Sequence, residues 1–207
     1  MPYGGNLIES SNLSLPATLF AEFAMQPILI IVAGPPGAGK TTLAHLLART
    51  LRCPALCRDE FKEGLVLTHG TATPDDANLR IYEIFFQSVE LLLRGGISLV
   101  AEAAFQHKLW APKLAPLQHI AKLRLVICTI DPARAQARAL ARGVAEPERA
   151  LLHGNRDAAA GPTGVEIPIA DWQAPQLAVP TLVVDTSDGY DPRIAAIAAF
   201  CAQPAVR

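Results

Sequence analysis

The chain is sparing with charge. Asp, Glu, Lys and Arg make up 18% of its 207 residues and the formal net charge is −1, which argues against a large nucleic-acid footprint, though a local basic groove stays open. No apolar stretch reaches the roughly 20 residues needed to span a bilayer. Residues 1–27 lack the basic start of a secretory signal. The four cysteines, Cys53, Cys57, Cys128 and Cys201, show no paired zinc spacing. Cys128 lies in an apolar run and reads as core, and Cys53 and Cys57 flank a short strand and read as structural rather than redox-active. The five histidines, His45, His69, His107, His119 and His153, are scattered without metal-ligand spacing. The guanine-reading N-K-x-D and the D-x-x-G of a GTPase switch are missing, as are an ABC signature and room for a helicase's second lobe. There is no internal repeat or low-complexity tract.

What is present is an apolar chain, 51% hydrophobic and long enough for one sizeable α/β domain. Its sharpest feature is Gly34-Pro35-Pro36-Gly37-Ala38-Gly39-Lys40-Thr41-Thr42, which fits the phosphate-binding pattern G-x-x-x-x-G-K-[ST]. The run Ile28–Val32 before it reads as a buried strand and Thr42–Leu51 after it as a helix, the context that the pattern requires. Glycines at 34, 37 and 39 let the backbone wrap phosphates at the mouth of a helix dipole. Pro35 and Pro36 carry no N–H, so the cradle falls to the amides of about Gly37, Ala38, Gly39, Lys40, Thr41 and Thr42. Lys40 would reach the β- and γ-phosphates, and the Thr41 hydroxyl would hold Mg²⁺.

Short apolar runs alternate with helical stretches, as in a parallel sheet covered on both faces. Strands are predicted at 28–33, 54–57, 97–101, 123–130 and 181–184. A helix carries Phe61–Leu67. A long one starts at Thr73-Pro74-Asp75-Asp76 with a capping threonine and a first-turn proline, bears Tyr82, Phe85 and Phe86, and stops at Gly95-Gly96. Further helices are expected at about 110–121, from Asp131-Pro132 to about Arg142, and at 192–201. The helix aromatics read as core, with one of them available to wall an acceptor site. Residues 143–175 are Gly-, Pro- and charge-bearing with weak periodicity. Residues 1–27 are read as an N-terminal extension preceding a domain over 28–207. Met25 just before the first strand leaves two readings open, a true start or an extension packed on the sheet. Free thiols and an ATP-type site predict a reducing, cytoplasmic setting.

Five strands, a helix-capped phosphate loop and a charged segment before the last strand make the plan of a small nucleoside- or metabolite-kinase domain. Ile28–Leu46, Cys57-Arg58-Asp59-Glu60-Phe61, Val100-Ala101-Glu102, Asp131-Pro132 with Arg138 and Arg142, and Val184-Asp185-Thr186 follow one another in this order. In that order and spacing the chain resembles the small P-loop kinases with an AAA-type ATP-binding label. That group includes gluconate kinase, the kinase domain of phage polynucleotide kinase, chloramphenicol phosphotransferase and the zeta toxins. The resemblance covers about residues 28–202. It implies a three-layer α/β sandwich on a parallel five-stranded sheet of order 2-3-1-4-5, and a mobile lid, here at about 143–175. It also implies ATP and Mg²⁺ as cofactors and transfer of the γ-phosphate to a hydroxyl of a sugar acid, a nucleotide sugar or an antibiotic.

Several side chains are candidates for this chemistry, each beside a plainer role. Asp59 follows strand 2 at the carboxyl edge of the sheet, where open α/β folds bind ligands. In the resembling kinases an Asp here contacts the acceptor hydroxyl; otherwise Asp59 or Glu60 caps the next helix. Arg58 either binds an anionic substrate or pairs with Glu60. Glu102 ends strand 3, the Walker B position, where a carboxylate holds Mg²⁺ through water or touches substrate; its alternative is a buried pairing with Lys40 or an arginine. Arg138 and Arg142 share a helix face. The resemblance places such arginines over the nucleotide, one on adenine and another near the phosphates, against a solvated basic face that includes Arg134. In the lid, Arg149 or Arg156 would bring charge to the transferring phosphoryl group, with Arg149 preferred. His107 is read as lining the acceptor pocket and His153 as sitting on the lid, each beside the plainer reading of an ordinary surface histidine. Expected partners are a small-molecule acceptor, no membrane, no strong case for nucleic acid, and room for a protein partner if the chain is a toxin held in check. A regulator that binds ATP without efficient transfer is the remaining alternative.

Overall fold

A computed structural model of the chain describes residues 26–69, 77–105, 107–145 and 172–203. Strand β1, Ile28–Ala33, lies in the middle of the sheet, and its odd and even residues serve two separate cores. Leu29 and Ile31 point to one face and Ile30 and Val32 to the other. A strand buried on both sides reads as a continuous apolar run, as this one does.

β1 is flanked by β3, Leu99–Glu102, and β4, Lys122–Thr129; β2, Ala55–Cys57, and β5, Thr181–Asp185, form the edges. All pairings are parallel and the order is β2-β3-β1-β4-β5, as expected. Stepping outward from β1 in opposite directions creates a switch point at its carboxyl end, where open α/β sheets take ligands. Helix α1, Lys40–Leu51, begins two residues earlier than the apolar pattern suggests, because Gly39 turns the chain with φ 68° and Lys40 already follows helically. Helix α2 is Arg58–His69 and α3 is Ala77–Arg94; the expected capping segment of α3, Thr73–Asp76, lies outside the described residues.

One expected helix is two pieces. α4, His107–Leu114, gives way to a 3-10 turn over Ala115–His119. Pro112, inside α4, and Pro116, at the start of the turn, each lack an N–H for the α ladder, and the chain tightens between them. Helix α5, Pro132–Ala145, and helix α6, Ile194–Ala202, complete the frame. Most of the segment read as a lid, and residues 1–25 with Met25, lie outside the described residues.

α1 and α6 cover one face through Leu43, Leu47, Ile197 and Cys201; α3 and α4 cover the other. On the second face Phe85 is fully buried at the centre of an aromatic cluster. Its ring centroid lies 5.7 Å from Phe61, 5.8 Å from Phe86, 6.1 Å from Phe105 and 6.2 Å from Trp110. Edge-on packing of this kind adds to the burial of each ring. Tyr82 and Phe86 are likewise core. Replacing Phe85 with Ala removes the hub, and chemical denaturation should show a loss of about 3–5 kcal/mol. A loss under about 1 kcal/mol would mean that the cluster collapses onto the space.

Candidate active site

The phosphate loop leaves β1 with almost no room around it. A Cβ added to Gly34 would sit 2.7 Å from the Cys128 carbonyl oxygen, and one added to Gly37, at φ 79°, 2.8 Å from the Ala135 oxygen. The glycines therefore let β4 and α5 close on the loop, besides freeing its turn. The first intrahelical bond of α1 runs from the Leu43 N–H to the Gly39 carbonyl, which leaves the amides of Lys40, Thr41 and Thr42 at an open helix N-terminus. The Ala38 amide departs from the expected cradle: it donates to the Pro35 carbonyl at 3.2 Å. The Lys40 ammonium also donates to that carbonyl, at 3.1 Å.

Beneath the loop stands Glu102. The register Val32↔Glu102 between β1 and β3 puts it beside the strand end from which the loop departs. Its Oε2 accepts from the Thr41 hydroxyl at 3.0 Å and its Oε1 lies 3.9 Å from Lys40 Nζ, with the Glu102 side chain only 1% exposed. Thus the expected metal position and the expected buried pairing with Lys40 coincide. Burial pushes the Glu102 carboxyl above its ordinary range; the Lys40 charge and the Thr41 hydrogen bond oppose this, and the Asp59 charge adds to it. A hydroxyl and a carboxylate under a phosphate cradle are hard oxygen donors and fit Mg²⁺. Burial likewise drives the neighbouring Cys128 thiol up to about 12, against the pull of Lys40.

Asp59 sits half-buried in the first turn of α2, one strand from β1. Its charge adds to the upward push on both the Glu102 carboxyl and the Cys57 thiol. Its neighbours turn elsewhere. The Arg58 guanidinium donates to Asn78 Oδ1 at 3.4 Å and lies 5.9 Å from the Trp110 ring centre. Glu60 takes His45 as partner, the Nε2–H donating to Oε1 at 2.6 Å.

On the far side of the loop, Arg138 donates from Nη2 to the carbonyls of Thr186, at 2.8 Å, and Ser187, at 3.1 Å. Its Nη1 is 3.9 Å from the place of a Cβ on Gly39, so the guanidinium stands over the loop. Arg134, on the same helix, donates to Ser187 at 2.7 Å. α5 carries Arg142, whose side chain lies outside the described residues with Arg149, Arg156 and His153; nor is the His107 side chain described.

Thr186 carries a role that the sequence did not disclose. It is 2% exposed, and its hydroxyl lies 2.9 Å from both the Ala38 and the Thr129 carbonyl oxygens, so the end of β5 ties the loop to β4. The sequence offered Thr186 only as part of the ordered segment Val184-Asp185-Thr186, with no role attached to it.

A family model described as an AAA domain matches residues 29–158. No curated protein matches the sequence. Among solved structures, a candidate kinase from Chloroflexus aurantiacus J-10-fl is 28% identical, with a TM-score of 0.65 over 85% of this chain and 97% of that one. The Mycobacterium tuberculosis APS kinase, solved with AMPPNP and APS, is 17% identical, with a TM-score of 0.54 over 84% and 97%. A sugar kinase from Janibacter sp. HTCC2649 is 14% identical, with a TM-score of 0.53 over 84% and 94%. The last two speak for the fold, that of the P-loop kinases.

Glu102→Gln keeps an acceptor for Thr41 and removes the buried charge. Because the folded carboxyl is raised, its ionised form weakens the fold above that pKa. The variant should therefore melt higher at neutral pH, by about 2–4 °C for each kcal/mol gained in a chain of this size. Its advantage should shrink as pH falls through the Glu102 range. Melting curves at neutral and acidic pH check this, and an advantage that grows on acidification would contradict it.

Proposed function

The chain belongs to the AAA domain family of that model, and on this premise we propose that it is an ATP- and Mg²⁺-dependent kinase that phosphorylates an alcohol group of a small molecule. The observation that supports this best is the convergence of Lys40, Thr41 and Glu102 beneath open helix amides, with Asp59 in the first turn of the helix that follows β2.

Phosphoryl transfer asks the protein for position and charge more than for covalent chemistry. The amides of Lys40, Thr41 and Thr42, at the positive end of the α1 dipole, would take the phosphate oxygens. Gly34, Gly37 and Gly39 give the loop the path that this needs. Lys40 would exchange its bond to the Pro35 carbonyl for the phosphates. Thr41 and Glu102 would hold the metal ion, which when bound offsets the charge of the β- and γ-phosphate oxygens. Asp59 would accept the proton of the acceptor hydroxyl, or orient it, as that oxygen attacks phosphorus and ADP leaves. Arg138, already over the loop, would flank the nucleotide. Arg142 and Arg149 are assigned to the phosphates and to the transferring group, the latter from the lid expected at about 143–175, which would close on the site and exclude water. Residues 1–27 are left outside this machinery. The acceptor, a sugar acid, a nucleotide sugar or an antibiotic, would enter beside Asp59 and Arg58.

ADP release by the purified protein with ATP and Mg²⁺, screened across sugar acids, nucleotide sugars, antibiotics and 5′-hydroxyl oligonucleotides, tests the reading. Lys40→Ala serves as the blank. One compound class should stimulate turnover. Asp59→Asn should then lower kcat by about 10²–10⁴-fold with ATP affinity nearly unchanged. ATP binding with no stimulation by any class would favour a nucleotide-binding regulator, and unaltered turnover in Asp59→Asn would remove that residue from the reaction.

A further inference from the structure

Next to Glu102, whose register partner on β2 is Cys57, three donors of different chemistry meet. His45 comes from α1, Cys57 ends β2 and Glu60 lies in the first turn of α2. Cys57 Sγ lies 3.7 Å from His45 Nε2, His45 Nε2 lies 2.6 Å from Glu60 Oε1, and the three donor atoms all fall within 4.8 Å of one another. Cys57 is buried, whereas the side chains of His45 and Glu60 are 41% and 43% exposed, so the cluster has a sealed floor and an open mouth. The chain spacing of these residues hides the cluster: they are neither a cysteine pair nor a histidine pair, and only the packing of α1 on β2 unites them.

We propose that His45, Cys57 and Glu60 form a zinc site, with a water in the fourth position, separate from the Mg²⁺ position at Thr41 and Glu102. Zinc takes thiolate sulfur at about 2.3 Å, imidazole nitrogen at about 2.0–2.1 Å and carboxylate oxygen at about 2.0–2.2 Å in a tetrahedron, which sets its donors roughly 3.3–3.7 Å apart. The Cys57–His45 separation already suits this. Glu60, on an exposed and flexible side chain, has only to give up its direct hydrogen bond with His45 and step outward. Thiolate and imidazole select zinc over Mg²⁺, which asks for oxygen alone. Burial pushes the Cys57 thiol up, and the Glu102, Glu60 and Asp59 charges add to this. A divalent ion becomes the largest local charge and reverses that balance. On coordination the Cys57 proton leaves to solvent and the sulfur binds as thiolate. The bound ion would fasten the first turn of α2, and with it Asp59, to α1. The site stands apart from the kinase reading, since its test needs neither nucleotide nor acceptor.

The full chain is titrated with Zn²⁺ in excess Mg²⁺ against a chromogenic chelator, and with Co²⁺ as a spectroscopic substitute. One equivalent should bind, and Co²⁺ should give a thiolate-to-metal charge-transfer band. His45→Gln and Glu60→Gln, both at partly exposed positions, should each weaken zinc binding at least as much as the loss of an outer-shell partner does, about 10–100-fold. Cys57→Ser should abolish the cobalt band while Cys53→Ser and Cys201→Ser retain it. Circular dichroism confirms folding of each variant, and if Cys57→Ser does not fold, the His45 and Glu60 variants decide. No stoichiometric binding, an affinity untouched by His45→Gln and Glu60→Gln, or a band that depends on Cys53 instead would overturn the proposal.

Discussion

A carboxylate held almost out of reach of water is the constraint on which this molecule turns. An ion buried without partners costs several kcal/mol, and Glu102 is tolerable only because the Thr41 hydroxyl and the Lys40 ammonium come to it from above. Those residues can do so only if the phosphate loop bends sharply enough to place the start of α1 over the end of β3. That bend depends in turn on Gly34 and Gly37 lying hard against β4 and α5. Sheet register, loop path and helix start are therefore one requirement stated at three levels. The tension is left partly unresolved in the metal-free protein, since burial still favours the neutral carboxyl. Sites that keep such a tension are commonly those that bind or react.

The far wall of the loop has a different logic. Arg134 is exposed and Arg138 half-buried, and neither is a free basic face. They donate to the carbonyls that follow β5, while Asp131 caps the helix from which they come by accepting the Arg134 N–H at 3.0 Å. Thr186 completes the arrangement by reaching both Ala38 and Thr129. The loop is thus clamped from the β5 side by hydrogen bonds and from the β3 side by charge.

Most of the architecture was legible because its signals are local. A doubly buried parallel strand announces itself as an unbroken apolar run, and a phosphate loop between such a strand and a helix has few competing explanations. The boundaries were less legible. α1 begins at Lys40 because of backbone geometry at Gly39, and the helix expected over 110–121 divides between Pro112 and Pro116, where the missing N–H groups outweigh the surrounding helical pattern. The Lys40–Glu102 pairing was anticipated as an alternative to metal binding, yet one carboxylate can serve both. The role of Thr186 and the His45–Cys57–Glu60 cluster were invisible in the chain. Each depends on contacts between elements distant in sequence, and no period or spacing records them.

The position of β1 has a consequence for how the protein is made. It is the earliest of the described strands and the innermost in the sheet, and its partners on the two sides are Leu99–Glu102 and Lys122–Ile127. During synthesis from the amino end, the Ile28–Ala33 segment must wait, fully apolar and without hydrogen-bond partners, until both later strands have emerged. The earliest of these strands to be translated is hence among the last to be enclosed, a demand on the nascent chain that an edge strand would not make.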